Sequence, residues 1–151
     1  MKDFTVRKAN TGDADAIYAL EQECFSHPWS LNSVVEELEN ENACLFVAES
    51  GGSVVGYAGV QIAADEGYIT NVAVTASMRK RGVGRLLLAA MCSMARERRL
   101  SFITLEMRET NLAAAALYTA CGFENVGRRR GYYTDPREDA ILMTLYFGER
   151  T

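Results

Sequence analysis

The chain has 151 residues, 48% of them hydrophobic and 24% charged, with a formal net charge of −4. Those values suit one globular domain spanning residues 1–151, able to bury roughly two-thirds of its unfolded surface. The acidic balance argues against direct nucleic-acid binding; with no apolar run near the ~20 residues of a membrane span, and none of signal-peptide length from Met1 to Arg7, a soluble, cytoplasmic protein with no membrane partner is expected.

In chain order, Phe4 to Ala9 alternates apolar and polar residues as a first strand does. Thr11 or Asp13 is placed to cap a helix in which Ile17, Leu20 and Cys24 share a face. Ser26-His27-Pro28-Trp29 interrupts it, and Ser30 then opens a second helix with Leu31, Val34, Val35 and Leu38 as its apolar stripe. Strands from Ala43 to Ala48 and from Val54 to Ile62 flank Gly51-Gly52, a hairpin signal. After a polar turn with Asp65, Glu66 and Gly67 comes a strand from Tyr68 to Val74. A helix from Val83 to about Arg98 and a strand from Phe102 to Met107 complete a strand–helix–strand crossover, parallel and right-handed by default. Thr110 or Asn111 caps a helix from Leu112 to Ala120, closed by Gly122. Two strands follow, roughly Phe123–Arg129 and Ala140–Phe147. The expected fold class is α+β in three layers: a mixed, mostly antiparallel sheet of about seven strands with helices on both faces.

The most informative stretch is Arg79-Lys80-Arg81-Gly82-Val83-Gly84, between the strand Tyr68–Val74 and the helix that Arg85-Leu86-Leu87 continues. A glycine turn at a helix N-terminus presents unpaired N–H groups backed by the helix dipole, an anion site suited to phosphate. Four cations lie within seven residues here, Arg79, Lys80, Arg81 and Arg85. A Walker loop is excluded, because no Gly-Lys-Ser/Thr ends the run, and the third glycine of a dinucleotide fingerprint is missing.

Cys24, Cys44, Cys92 and Cys121 contain no C-x-x-C pair and read as reduced, buried hydrophobes. His27 is the only histidine, which leaves a metal centre or a Ser-His-Asp triad little to build on. No metal is expected.

An Arg-x-x-Gly-x-Gly turn after a strand ending Val72-Ala73-Val74 resembles the pyrophosphate loop of the GNAT acyltransferase superfamily, and the likeness extends to Tyr118-Thr119-Ala120-Cys121-Gly122-Phe123 and the last strand. The resemblance implies acetyl-CoA as co-substrate. Val72, Ala73 and Val74 would offer backbone groups to the pantetheine arm. Arg79, Lys80, Arg81, Gly82, Val83, Gly84 and Arg85 would hold the pyrophosphate, chiefly through N–H groups. Arg79 stands where many members have glutamine, and the usual proline is absent from Thr75-Ala76-Ser77-Met78.

Strand alternation places Glu106 on the face of Thr104, opposite Leu105 and Met107. A carboxylate there is partly desolvated, which makes it a better base near neutrality. Tyr118 shares a helix face with Asn111, two turns away. Leu105-Glu106-Met107-Arg108 with Asn111 to Tyr118, Pro28-Trp29-Ser30, Tyr132-Tyr133 and Glu138-Asp139-Ala140 resembles the bacterial ribosomal-protein-alanine N-acetyltransferases within the superfamily. That resemblance implies Glu106 as general base, Tyr118 as general acid and Asn111 as a cofactor contact. The acceptor it implies is the N-terminal peptide of a small-subunit ribosomal protein, starting with alanine. Another amine acceptor, or a silent acyl-CoA-binding regulatory domain, remains the alternative. Arg128-Arg129-Arg130 reads as a solvated strand end, and Trp29 as a cover for the core beside a helix break.

Overall fold

The computed structural model describes residues 4–148; Met1–Asp3, part of the stretch read above for a signal peptide, and residues 149–151 lie outside them. The strands are β1 (Thr5–Lys8), β2 (Ala43–Ser50), β3 (Ser53–Ala63), β4 (Glu66–Val74), β5 (Phe102–Arg108), β6 (Glu124–Thr134) and β7 (Arg137–Tyr146). The helices are α1 (Ala14–Cys24), α2 (Leu31–Glu39), α3 (Val83–Glu97) and α4 (Leu112–Ala120). The strands form one sheet in the order β1-β2-β3-β4-β5-β7-β6. Every neighbouring pair is antiparallel except β4 with β5, the pair that α3 connects. None of the described helices is long and apolar enough to cross a membrane.

Alternation of apolar residues divides the core between the two faces of the sheet. On one, Leu87, Leu88 and Met91 of α3 meet Val60, Ile69 and Ile103, with Tyr118 of α4 and Phe123 closing that core. On the other, Ile17 and Leu20 of α1 and Val34 of α2 pack on Val47, Tyr57 and Ala73. Both helix pairs thus bury an apolar stripe against a pleated surface. All four cysteines are free; Cys44 and Cys92 are buried, whereas Cys24 and Cys121 are half-buried.

Three local expectations change. Glu66 and Gly67 belong to β4 rather than to a turn, since they pair with Ala63 and Ile62 on one side and with Phe102 and Ile103 on the other. Gly67 is a packing glycine: a methyl there would lie 3.2 Å from Ile103 Cγ1 and Leu100 Cδ1. The final hairpin is longer than expected, because β6 continues past Arg129 through an irregularity. Four steps from Arg129 to Tyr133 face two from Ala140 to Glu138. The first cap is Asn10, whose side chain accepts from the Gly12 N–H. Asp13 closes the capping box by accepting from the Asn10 N–H at 2.9 Å, and also pairs with Arg7, which donates to both of its oxygens at 2.8 Å. That guanidinium holds the Asp13 carboxyl below its ordinary range.

Close approach of β3 to β4 and α3 depends on Gly56, where an added methyl would stand 3.0 Å from the Ala73 carbonyl oxygen and 3.1 Å from Val83 Cγ1. Neither neighbour is the free end of a flexible chain. Gly56→Ala is expected to lower stability by about 1–3 kcal/mol, measured as a lower urea midpoint at an unchanged m-value.

Candidate active site

The site begins where the sheet opens. β4 and β5 pair only from Glu66↔Phe102 to Tyr68↔Thr104, after which β5 continues alongside β7 and β4 alongside β3. The separation coincides with a β-bulge. Gly59 faces Asn71 and Val60 faces Ile69, which leaves Thr70 as an extra residue on β4. A bulge bends its strand and reverses side-chain parity beyond it. Gly67 and Ile69 accordingly face α3, and so do Val72 and Val74, whereas Ala73 packs on the α1 side and Asn71 bonds to Glu21 of α1. Beyond Tyr68 the β5-facing edge of β4 has no strand partner, so Val72, Ala73 and Val74 offer main-chain groups to a ligand lying along it.

Beyond the open end of β4 lies the glycine turn. Gly82 precedes α3 with φ +91°, and no side chain caps this helix. By contrast, Ser30 and Asn111 cap α2 and α4. The N–H groups of Lys80, Arg81 and Gly82 donate to no backbone carbonyl, and those of Val83, Gly84 and Arg85 open the helix without a side-chain cap. The space next to Gly82 is open, with nothing within 4 Å of the position a Cβ would take. Gly84 instead faces α4, at 3.1 Å from Leu117 Cδ2. This cradle of unsatisfied donors fits a pyrophosphate in charge and in access. The Arg79 side chain turns the other way: its Nε donates to the Val74 carbonyl at 3.0 Å and one terminal nitrogen lies 3.6 Å from Cys24 Sγ. The Asn111 carbonyl oxygen accepts from the Ala114 N–H at 3.1 Å, which leaves its amide nitrogen as the group to offer a ligand.

Glu106 stands on the face opposite Leu105 and Met107, as alternation predicts; those two side chains are buried in the α3 core. Its side chain is 11% exposed and is held from two directions. Tyr68 O–H donates to Oε1 at 2.8 Å, and Arg129 Nε lies 3.1 Å from Oε2. Arg129 therefore supplies the counter-charge that a shielded carboxylate needs. Burial, then the hydrogen bond to Glu106, pushes the Tyr68 phenol well above its ordinary range, so it remains a donor. Tyr132 lies beside this group, edge-on to Tyr133 at 5.1 Å between ring centroids, with the Arg129 guanidinium 5.9 Å from its ring.

Tyr118 occupies the other face. It is buried among the α3-side core, edge-on to Phe123 at 5.4 Å. Burial, reinforced by the nearby Tyr133 and Cys121, pushes its phenol up to about 12, so it keeps its proton at any physiological pH. The Arg108 guanidinium lies over the Tyr133 ring, 4.4 Å from the ring centroid.

Glu106 and Tyr118 lie on the strand and the helix expected from the sequence, but their surroundings were not legible there. Arg128 and Arg129 are exposed, as expected, but they lie within β6 and are paired: Arg129 with Glu106, and Arg128 with Glu109 and Asp139. The reason lies in pairing: β5 and β6 are separated by β7, and no local pattern brings Arg129 to Glu106. Tyr68 was legible in principle, since the parallel crossover puts it level with Thr104, but only once the register is known. Glu21 gave no signal beyond a charge on an apolar helix. Trp29 packs on the α1-side core as expected, and its main chain also bonds to Glu21.

The family model described as Acetyltransferase (GNAT) family matches residues 14–123. The chain is 35% identical over 143 residues to the [Ribosomal protein bS18]-alanine N-acetyltransferase of Escherichia coli K12, with 93% of this chain and 96% of that protein covered. The crystal structure of the ribosomal-protein-S18-alanine N-acetyltransferase from Escherichia coli superimposes with a TM-score of 0.89 at 33% identity, covering 98% of this chain and 96% of the other. Ard1 from Thermoplasma volcanium superimposes with a TM-score of 0.87 at 26% identity, over 98% of this chain and all of the other. An opened β4–β5 pair, an uncapped glycine turn and relatives of matching length together show that the chain belongs to the GNAT acetyltransferase family.

Proposed function

We propose that this acetyltransferase moves an acetyl group from acetyl-CoA to the N-terminal alanine amine of a ribosomal protein by direct attack. One observation carries the reading. The gap between β4 and β5 joins two differently equipped faces, with Glu106 on one and Tyr118 on the other, and an uncapped anion cradle stands at its end. The acceptor amine enters on the α1–α2 side and the thioester lies along the exposed edge of β4. The names of the relatives supply the acceptor class.

Each residue then has a task. The N–H groups of Lys80 to Arg85 hold the pyrophosphate, and the basic side chains around them add attraction at longer range. Val72 to Val74 align the pantetheine arm along the strand edge, and a main-chain N–H near Val74 stabilises the tetrahedral oxyanion. Arg79 must release the Val74 carbonyl if the arm is to use it. Glu106, oriented by Tyr68 and Arg129, accepts a proton as the amine nitrogen bonds to the thioester carbon. Collapse of the intermediate breaks the carbon–sulfur bond, and Tyr118 gives its proton to the departing sulfur. The products are an amide and free CoA, and both side chains recover their protonation states from solvent. An N-terminal amine, with a pKa of roughly 7.7–8.0 against about 10.4 for lysine, reaches its neutral form easily at working pH. No covalent enzyme intermediate is required.

Glu106→Gln is expected to lower kcat by about 10²- to 10⁴-fold, most severely below the acceptor amine's own pKa. Tyr118→Phe is expected to lower kcat while leaving acetyl-CoA affinity nearly unchanged. Because the Tyr118 phenol holds its proton up to about 12, the alkaline limb of the wild-type pH–rate profile should show no tyrosine ionisation near 10. Wild-type rates in both variants would remove these roles. Gly82→Val forces a β-branched residue to φ +91° and puts its side chain into the open cradle. It should weaken acetyl-CoA binding by about tenfold or more, seen as a smaller ligand-induced rise in Tm above a ligand-free Tm that the backbone strain itself lowers by a few degrees.

A further inference from the structure

The least exposed carboxylate in the described chain takes no part in that chemistry. Glu21, on α1, is 1% exposed. Its Oε1 accepts from the Trp29 backbone N–H at 2.8 Å, and its Oε2 accepts from Asn71 Nδ2 at 2.5 Å and from the Tyr57 hydroxyl. The three donors belong to different parts of the fold. Tyr57 lies on β3, Asn71 follows the bulge residue of β4 directly, and Trp29 ends the connection between α1 and α2. Burying a carboxylate costs several kcal/mol, and three convergent donors offset that cost without a cation. An apolar side chain would fill the same core position with no such demand.

The connection from Phe25 to Ser30 is short, and the contacts at its ends define its path. Cys24 Sγ donates to the Val74 carbonyl at 3.5 Å, at the open end of β4. His27 Nε2 lies 3.6 Å from Asp135 Oδ2, at the tip of the β6–β7 hairpin that brings Arg129 and Tyr132 to Glu106. Between these points the segment crosses the acceptor side of the cleft. Its one hydrogen bond into the buried interior of the α1 face is the bond from Trp29 to Glu21, and the same carboxylate grips the donor strand through Asn71. The burial of both oxygens leaves little freedom for the loop to move without the strand.

We propose that Glu21 is a positioning residue for the acceptor: it fixes the α1–α2 connection above the cleft, in register with the bulged strand β4, and thereby sets affinity for the incoming peptide amine. This rests on the reading of that face as the acceptor side. Substitution at Glu21 displaces the loop and not the anion cradle, so the effect falls on the acceptor and spares acetyl-CoA.

Two substitutions separate this role from a merely structural one. Glu21→Gln keeps an oxygen for the Trp29 N–H; Tyr57 can rotate its hydroxyl and Asn71 its amide to suit the new NH2 group. Glu21→Ala leaves all three donors without a partner. Glu21→Ala should raise the acceptor-peptide KM by about tenfold or more, with acetyl-CoA Kd and kcat at saturating peptide within about threefold of wild type. Glu21→Gln should stay within about threefold in all three. Trp29 is the only tryptophan, so its fluorescence in ligand-free protein reports the loop directly. Acrylamide quenching should rise in Glu21→Ala and stay near wild type in Glu21→Gln. An unchanged peptide KM in Glu21→Ala, or a parallel rise in peptide KM and acetyl-CoA Kd, overturns the inference. If Glu21→Ala does not fold, Tyr57→Phe loosens only one oxygen; a smaller rise in peptide KM supports the role, and unchanged KM with unchanged quenching overturns it. If the wild-type protein acetylates no peptide amine, the functional reading fails by itself, and unchanged Trp29 quenching in Glu21→Ala then overturns the positioning role separately.

Discussion

The site depends on one backbone event, the parting of β4 from β5 after three residue pairs. Two parallel strands in mid-sheet would ordinarily satisfy each other along their whole length. Here the extra residue Thr70 bends β4 and reverses which side chains face α3. The resulting gap makes the strand edge available as a template and opens a passage between the two faces of the sheet. Smaller irregularities elsewhere, in β2 at Ala48–Glu49 and along β6, leave their strands paired with their neighbours on both sides of the interruption. Val72 and Val74 stay packed toward α3, while Ala73 packs toward α1.

Electrostatics then follow from which face a group occupies. On the acceptor side, a shielded carboxylate is given a guanidinium and a phenol, so its orientation is fixed before any ligand arrives. On the opposite side, Tyr118 is buried among apolar residues and keeps its proton. In the proposed mechanism the first group is the base and the second the acid. The anion cradle uses neither: it consists of main-chain donors that α3 leaves without partners. The mechanism we propose thus assigns donor binding, proton acceptance and proton donation to three different structural devices around the opening of the sheet.

Much of this was legible in the sequence where the relevant pattern is local. Alternation from Phe102 to Met107 placed Glu106, and the Arg-x-x-Gly-x-Gly turn placed the cradle. Helical spacing put Tyr118 on the face of Asn111, but Asn111 is the exposed cap of α4 and Tyr118 is buried, a difference set by packing on the sheet. What could not be read depends on pairing between distant segments. The bulge at Thr70 has no glycine or proline on β4 itself; Gly59 stands opposite it on β3, and only the register of the two strands connects them. Arg129 reaches Glu106 through β7 and a widened stretch of β6. Glu21 carries no local signal, because its three partners are supplied from β3, β4 and the loop after α1. Asp13 was legible in part: its spacing marked a cap, and its carboxylate does accept from the Asn10 N–H, but the pairing of the same carboxylate with Arg7 of β1 had no sequence signal.

The measurement that tests the account most directly is acetyl transfer to a peptide that begins with alanine and carries an internal lysine. Release of CoA thiol is followed alongside the site of mass gain, with the same peptide blocked at its N-terminus as control. The account predicts thiol release and a single added acetyl group on the N-terminal amine, and neither with the blocked peptide. Acetylation of the lysine in both peptides, or acetyl-CoA binding without transfer to any amine, would contradict it.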